Sequence, residues 1–92
     1  CATPEIRIDC PDALKFKATE AVKKYFQKDY RTIETDGVRI LFSDGWGLVR
    51  ASNTQPVLVL RFEASTPETL RVTREMVEGA LKAILVELGA NP

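Results

Sequence analysis

The chain has 92 residues, with 13 basic and 13 acidic side chains and no His. This is the length of one domain, able to bury roughly 60–65% of the surface of its unfolded chain. The charge balance argues against a general nucleic-acid binder, which needs a positive field. The missing His removes the commonest general base and metal ligand, and no apolar run approaches the ~20 residues that span a bilayer.

Thr3-Pro4-Glu5 opens the chain like a linker, and Cys1 in place of a starting Met suggests a domain taken from something longer. No charged-then-apolar leader is visible, so the chain reads as cytoplasmic. Glu5 to Ile8 is a short strand candidate. Cys10 follows it and reads as a buried small hydrophobe; Cys1 and Cys10 are too few for a disulfide framework or a metal cluster.

Pro11-Asp12 starts a helix, Asp12 suiting its first turn. Leu14, Ala18, Val22 and Tyr25 recur at helical spacing, with Ala21 and Phe26 beside them. Lys15, Lys17, Lys23, Lys24 and Lys28 read as its solvated face. Ile33 begins a second strand. Asp36-Gly37 and Asp44-Gly45 are hairpin signals, because Gly tolerates the positive φ of tight turns. Between them Val38, Ile40 and Phe42 alternate with Arg39, Leu41 and Ser43. Trp46, Leu48 and Arg50 share one parity of the next strand, and Trp46 reads as core on a face turned to the helices, with stacking on a sugar as the alternative.

Val57 to Leu60 is apolar on both parities and reads as a central strand. Arg61 and Glu63 beyond it read as solvated or locally paired charges. Thr66-Pro67 opens the last helix as a hydroxyl cap followed by Pro at the first position, with Ser65 and Glu68 as an alternative capping box. Leu70, Val77, Leu81, Ile84 and Leu88 form its core stripe, and Gly89 ends it. The predicted fold is α+β: strand, helix, four strands, helix, with a four-stranded antiparallel meander under two helices.

Arg50-Ala51-Ser52-Asn53-Thr54-Gln55-Pro56 joins the two strands before the last helix. Arg offers a planar fork that matches phosphate, and Ser, Asn and Thr add neutral donors. The same residues also make an ordinary polar turn with one solvated Arg. Both readings are open on residue chemistry alone.

The stretch Asp44 to Ala64 resembles the last domain of the α-D-phosphohexomutases, which carry Gly-Trp, then Arg-x-Ser-Asn/Gly-Thr-x-Pro, then an apolar strand ending in Glu-Ala. The Ser-Asn-Thr version is most similar to the bacterial phosphomannomutase/phosphoglucomutase group. Thr3-Pro4-Glu5-Ile6 resembles the point where that family's third domain passes to its fourth. The resemblance implies a TATA-box-binding-protein-like topology over residues 1–92, with residues 1–4 as an interdomain hinge centred on Pro4. It also implies a role in gripping the substrate phosphate that is not reacting: Arg50 as charged anchor, Ser52 and Thr54 as hydroxyl donors, Asn53 as amide donor. Gln55 stands where many relatives have Glu.

The phosphoserine segment and the Asp-rich Mg²⁺ loop of the family are absent from this sequence. The resemblance therefore implies no catalytic residue and no metal site in this domain. Mg²⁺ and a bisphosphorylated hexose would serve the full enzyme. The implied partners are a glucose or mannose phosphate and three further domains, with no nucleic acid and no membrane. A stand-alone module sensing a phosphorylated metabolite is the competing function class.

Overall fold

A computed structural model describes residues 1–34 and 36–90. The elements are β1 (Ile6–Asp9), α1 (Asp12–Phe26), β2 (Arg31–Glu34), β3 (Val38–Phe42), β4 (Gly45–Ala51), β5 (Val57–Ala64) and α2 (Pro67–Glu87). The order of strands and helices is the one predicted. The sheet, however, has five antiparallel strands rather than four, in the order β1-β5-β4-β3-β2. The extra member is β1, which lies outside β5 with Ile6 opposite Leu60 and Ile8 opposite Leu58. The apolar run Val57–Leu60 thereby becomes an interior strand with a neighbour on each side.

Both helices cover one face of this sheet. Ala18, Val22 and Phe26 of α1 and Val77, Leu81 and Ile84 of α2 share a core with Val38, Ile40, Val49, Leu58, Leu60 and Phe62. The buried stripe of α1 is Lys15, Ala18, Val22 and Phe26. Tyr25, expected in it, is exposed. The reason is angular: spacings of three, four and four keep those residues within one stripe, whereas Tyr25 falls outside it.

The other sheet face carries Arg7, Arg39, Arg50 and Arg61, with Trp46, Leu48 and Val59 among them. Leu48 lies between Arg39 and Arg61 in register, and Val59 between Arg7 and Arg50. Trp46 belongs to this face, opposite Leu41 and Glu63, so the expectation that it faces the helices is overturned. Strand parity places it there, and the Arg39 guanidinium lies 4.3 Å from its ring centre, a cation–π contact. Val59 is only 2% exposed although neither α1 nor α2 lies on this face. The arginine stems beside it account for the shelter.

The turn signals divide. Gly37 has φ +106°, as a tight turn demands. Gly45 does not have positive φ; it already pairs with Phe42, and a Cβ there would lie 2.2 Å from the Glu63 carbonyl oxygen. Its glycine is required by close backbone approach. At α2 the Thr66 hydroxyl accepts the Thr69 N–H at 3.1 Å, so Thr66 rather than Ser65 caps the helix. The C-terminus closes with Ala90 N–H on the Leu85 carbonyl and Gly89 N–H on the Val86 carbonyl, a Schellman motif.

Residues 1–3 run alongside the far end of β5. Ala2 bridges Glu63, and Thr3 exchanges two hydrogen bonds with Phe62 at 3.0 and 3.2 Å. Pro4 thus sits exposed between two segments that both pair with β5.

Candidate functional site

The segment from Arg50 to Pro56 leaves the end of β4 and returns as β5. The hydrogen bond from Ser52 N–H to the Val57 carbonyl, 3.1 Å, closes its neck. Ser52 is buried, and its hydroxyl oxygen accepts the N–H groups of Thr54 at 3.3 Å and Gln55 at 3.2 Å. This side chain folds the loop around itself, in the manner of Ser at local turns. Its hydroxyl hydrogen is still there to donate. Asn53, Thr54 and Gln55 are exposed around this hub.

Arg50 is the last open-face residue of β4. About a third of its side chain is exposed, and its Nη2 lies 3.8 Å from a Glu5 carboxylate oxygen. The other Glu5 oxygen lies 3.9 Å from Arg7. These separations hold charges together without a short hydrogen bond. Gly37 packs directly behind Arg50: a Cβ at Gly37 would meet the Arg50 Cβ at 2.4 Å.

The four residues expected to share a site are brought to one end of the sheet but not to one surface. Arg50 and Asn53 line a depression of about 420 Å³ with Phe16 and Gly37, which also receives Glu20, Glu34 and Asp36. Those carboxylates make its floor unfavourable to an anion. Glu34 is partly neutralised by Lys23, 2.9 Å away, a contact that raises the Lys23 ammonium pKa above its usual value. Ser52 lies beneath the loop and Thr54 at its tip. A second cavity, about 830 Å³, is a mostly apolar groove between the end of β1 and the last turns of α2, touching Cys10, Pro56 and Val86. It holds none of the four.

Residues outside the expected set complete the geometry. Lys15 is 5% exposed, not solvated as its place in the lysine series suggests. Its ammonium donates to the Gln55 carbonyl at 3.1 Å and pairs with Asp12 at 2.8 Å. The signal was available: Lys15 falls on the same stripe as Ala18, Val22 and Phe26. Glu5 was passed over because nothing local marks a partner as distant in sequence as Arg50. Cys1 and Cys10 are both free thiols. Among the described residues no group of three His, Cys, Asp or Glu side chains is placed to hold a metal.

A two-layer α+β domain with a polar loop between its adjacent strands β4 and β5 is thus the class of domain in hand. A solved phosphoglucomutase/phosphomannomutase family protein from Burkholderia thailandensis matches it with a TM-score of 0.75 and 34% identity, covering 91% of this chain and 18% of that one. The family described as phosphoglucomutase/phosphomannomutase, C-terminal domain, matches residues 5–80, and the chain belongs to it.

Among curated proteins it is 49% identical over 84 residues to a phosphomannomutase/phosphoglucomutase of Pseudomonas aeruginosa, covering 90% of this chain and 18% of that protein. The corresponding protein of Pseudomonas syringae is 47% identical over 88 residues, at 95% and 19% coverage. A phosphoglucomutase of Neisseria meningitidis is 40% identical over 87 residues, at 91% and 18%. The chain thus spans about a fifth of the length of these relatives. No helix among the described residues is long and apolar enough to cross a membrane.

Proposed function

We propose that this domain grips the non-reacting phosphate of a hexose phosphate in a phosphomannomutase/phosphoglucomutase that interconverts 1- and 6-phosphates through a bisphosphorylated sugar. Arg50 is the charged anchor; Asn53, Thr54 and the Ser52 hydroxyl hydrogen are donors on the loop. The observation that carries the reading is the Ser52 hub. It holds a donor-rich loop in one shape beside a guanidinium whose side chain is about a third exposed, so the groups are ordered before an anion arrives. Binding a remote phosphate fixes the orientation of the reacting end without taking part in the chemistry. A phosphate-only grip also accepts either end of an intermediate that must turn over.

The phosphoryl donor and the Mg²⁺ site would lie in other parts of the enzyme, as would the residues that tell glucose from mannose. The enzyme is cytoplasmic in this reading. A rotation about Pro4 would open and close the cleft between domains, and it has to release or carry along the Thr3–Phe62 pairing. The test is a titration of the chain with inorganic phosphate, followed by amide NMR. Shifts are expected at residues 50–55. In Arg50→Ala the affinity should fall by about tenfold, the lower end for a charge-assisted hydrogen bond. Equal binding by both proteins would remove Arg50 from the site.

A further inference from the structure

Only Lys15, Ser52 and Thr73 are buried polar side chains among the described residues. The first two both hold the loop between β4 and β5. Ser52 does so from within. Lys15 does so from α1, a helix distant in sequence and attached to the loop through this ammonium. Burying an ammonium is costly unless it is paired and hydrogen-bonded. Here the pairing comes from Asp12, whose carboxylate is largely exposed, and the hydrogen bond from one loop carbonyl. The chain would not need this arrangement to fill the core, since an apolar residue would continue the stripe of Ala18, Val22 and Phe26.

We infer that Lys15 is a positioning residue for the phosphate grip, an inference that rests on the function proposed above. The Gln55 carbonyl oxygen accepts from Lys15 Nζ at 3.1 Å and from Val57 N–H at 2.8 Å. A carbonyl oxygen left free on this loop would repel an anion; held by two donors, it is drawn into the protein. One residue on, the Pro56 carbonyl accepts the Cys10 N–H at 2.9 Å, so the returning limb is tied to the α1 side at two successive peptides. The Asp12 carboxylate 2.8 Å away offsets the charge of the ammonium, so Lys15 acts on the loop through its hydrogen bond. Lys15 need not touch the ligand to act.

The experiment uses Lys15→Met, which keeps the stem and removes the charge, and Asp12→Asn, which keeps the ammonium and removes its partner. Arg50→Ala is the control for the grip itself. Two quantities are read: amide exchange at Ser52, Gln55 and Val57, and affinity for inorganic phosphate. Lys15→Met should speed exchange at these amides by roughly tenfold, while those of Leu58 and Leu60 stay protected. It should weaken phosphate binding roughly three- to tenfold, the effect of losing about one hydrogen bond of loop order. Asp12→Asn should move both in the same direction by less, and it carries the test if Lys15→Met does not fold.

Unchanged exchange overturns the inference whatever phosphate does. Faster exchange with unchanged phosphate affinity also overturns it, leaving Lys15 as scaffold only. If Arg50→Ala loses phosphate while Lys15→Met binds like the parent chain, the grip stands and the positioning role falls. If the parent chain shows no phosphate shifts at residues 50–55, the grip falls and the positioning role falls with it.

Discussion

At Arg50 the proposed phosphate ligand would have a competitor. The Glu5 carboxylate lies 3.8 Å from the guanidinium and about half exposed, so an arriving phosphate meets a charge already partly satisfied. Removing that carboxylate should help binding: Glu5→Gln is expected to tighten phosphate affinity by roughly two- to fivefold, the scale of an exposed ion pair. Weaker binding in the NMR titration would mean that Glu5 orients Arg50 rather than competing for it. Cys10 gives a pH dependence. Burial raises its thiol pKa above the ordinary value near 9.0; Lys15 lowers it and Asp12 raises it to smaller extents. The unfolded thiol therefore ionises first. The contribution to stability is complete below the ordinary value and is lost as pH rises through the raised one. Against Cys10→Ala, the stability advantage of the parent chain should shrink between pH 7 and 10, as read from urea midpoints. A constant gap would show that the thiol titrates alike in both states.

Among the elements, the β2–β3 turn is the one most closely coupled to the site. Gly37 has φ +106°, and a Cβ there would meet both the Arg50 Cβ and the Val49 carbonyl. Gly37→Ala should cost about 1–3 kcal/mol from strain at this conformation, lowering the melting temperature by roughly 5–20 °C in a domain of this size. Arg50 should shift with it, so phosphate affinity should fall as well. A stable variant with unchanged affinity would show that the turn yields without disturbing β4. Element order and the ends of the last helix were legible in the sequence because they depend on local chemistry: Thr66-Pro67, Gly89 and the alternation in Val38–Phe42 act on their own neighbourhoods. The place of β1 was not legible, since a four-residue strand carries no mark of the strand it will join. The sides of the sheet were legible only through pairing: Trp46 was assigned by its character, and register put it on the arginine face. The loop's donors could be named from sequence, but the buried hub of Ser52 and the tether from Lys15 needed the fold.

The whole molecule closes on itself. One core joins both helices to the sheet, both helix ends are finished within the chain, and the radius of gyration is 12.3 Å, near the ≈ 12 Å scaling value for this length. The chain should therefore fold in isolation with dispersed amide signals. Its site is another matter. In the proposed role one loop and one guanidinium would contact one phosphate, while the sugar and the reacting end would be held by parts of the enzyme outside this fifth of its length. From open water, a hydrated dianion exchanges water contacts for protein contacts of similar strength, and the net gain per hydrogen bond is small. Millimolar affinity corresponds to about −4 kcal/mol, and nothing tighter is expected for glucose 1-phosphate. On the function proposed, the same loop in the full enzyme would act on a sugar already held nearby, at high effective concentration, so a weak contact would suffice. With glucose 1-phosphate, Mg²⁺ and glucose 1,6-bisphosphate the isolated chain should yield no 6-phosphate above the blank. Micromolar binding, shifts centred on Lys17, Lys24 and Lys28 of the α1 side, or stoichiometric conversion to the 6-phosphate would each show that the work assigned here to several domains is done by this one, or by another face of it.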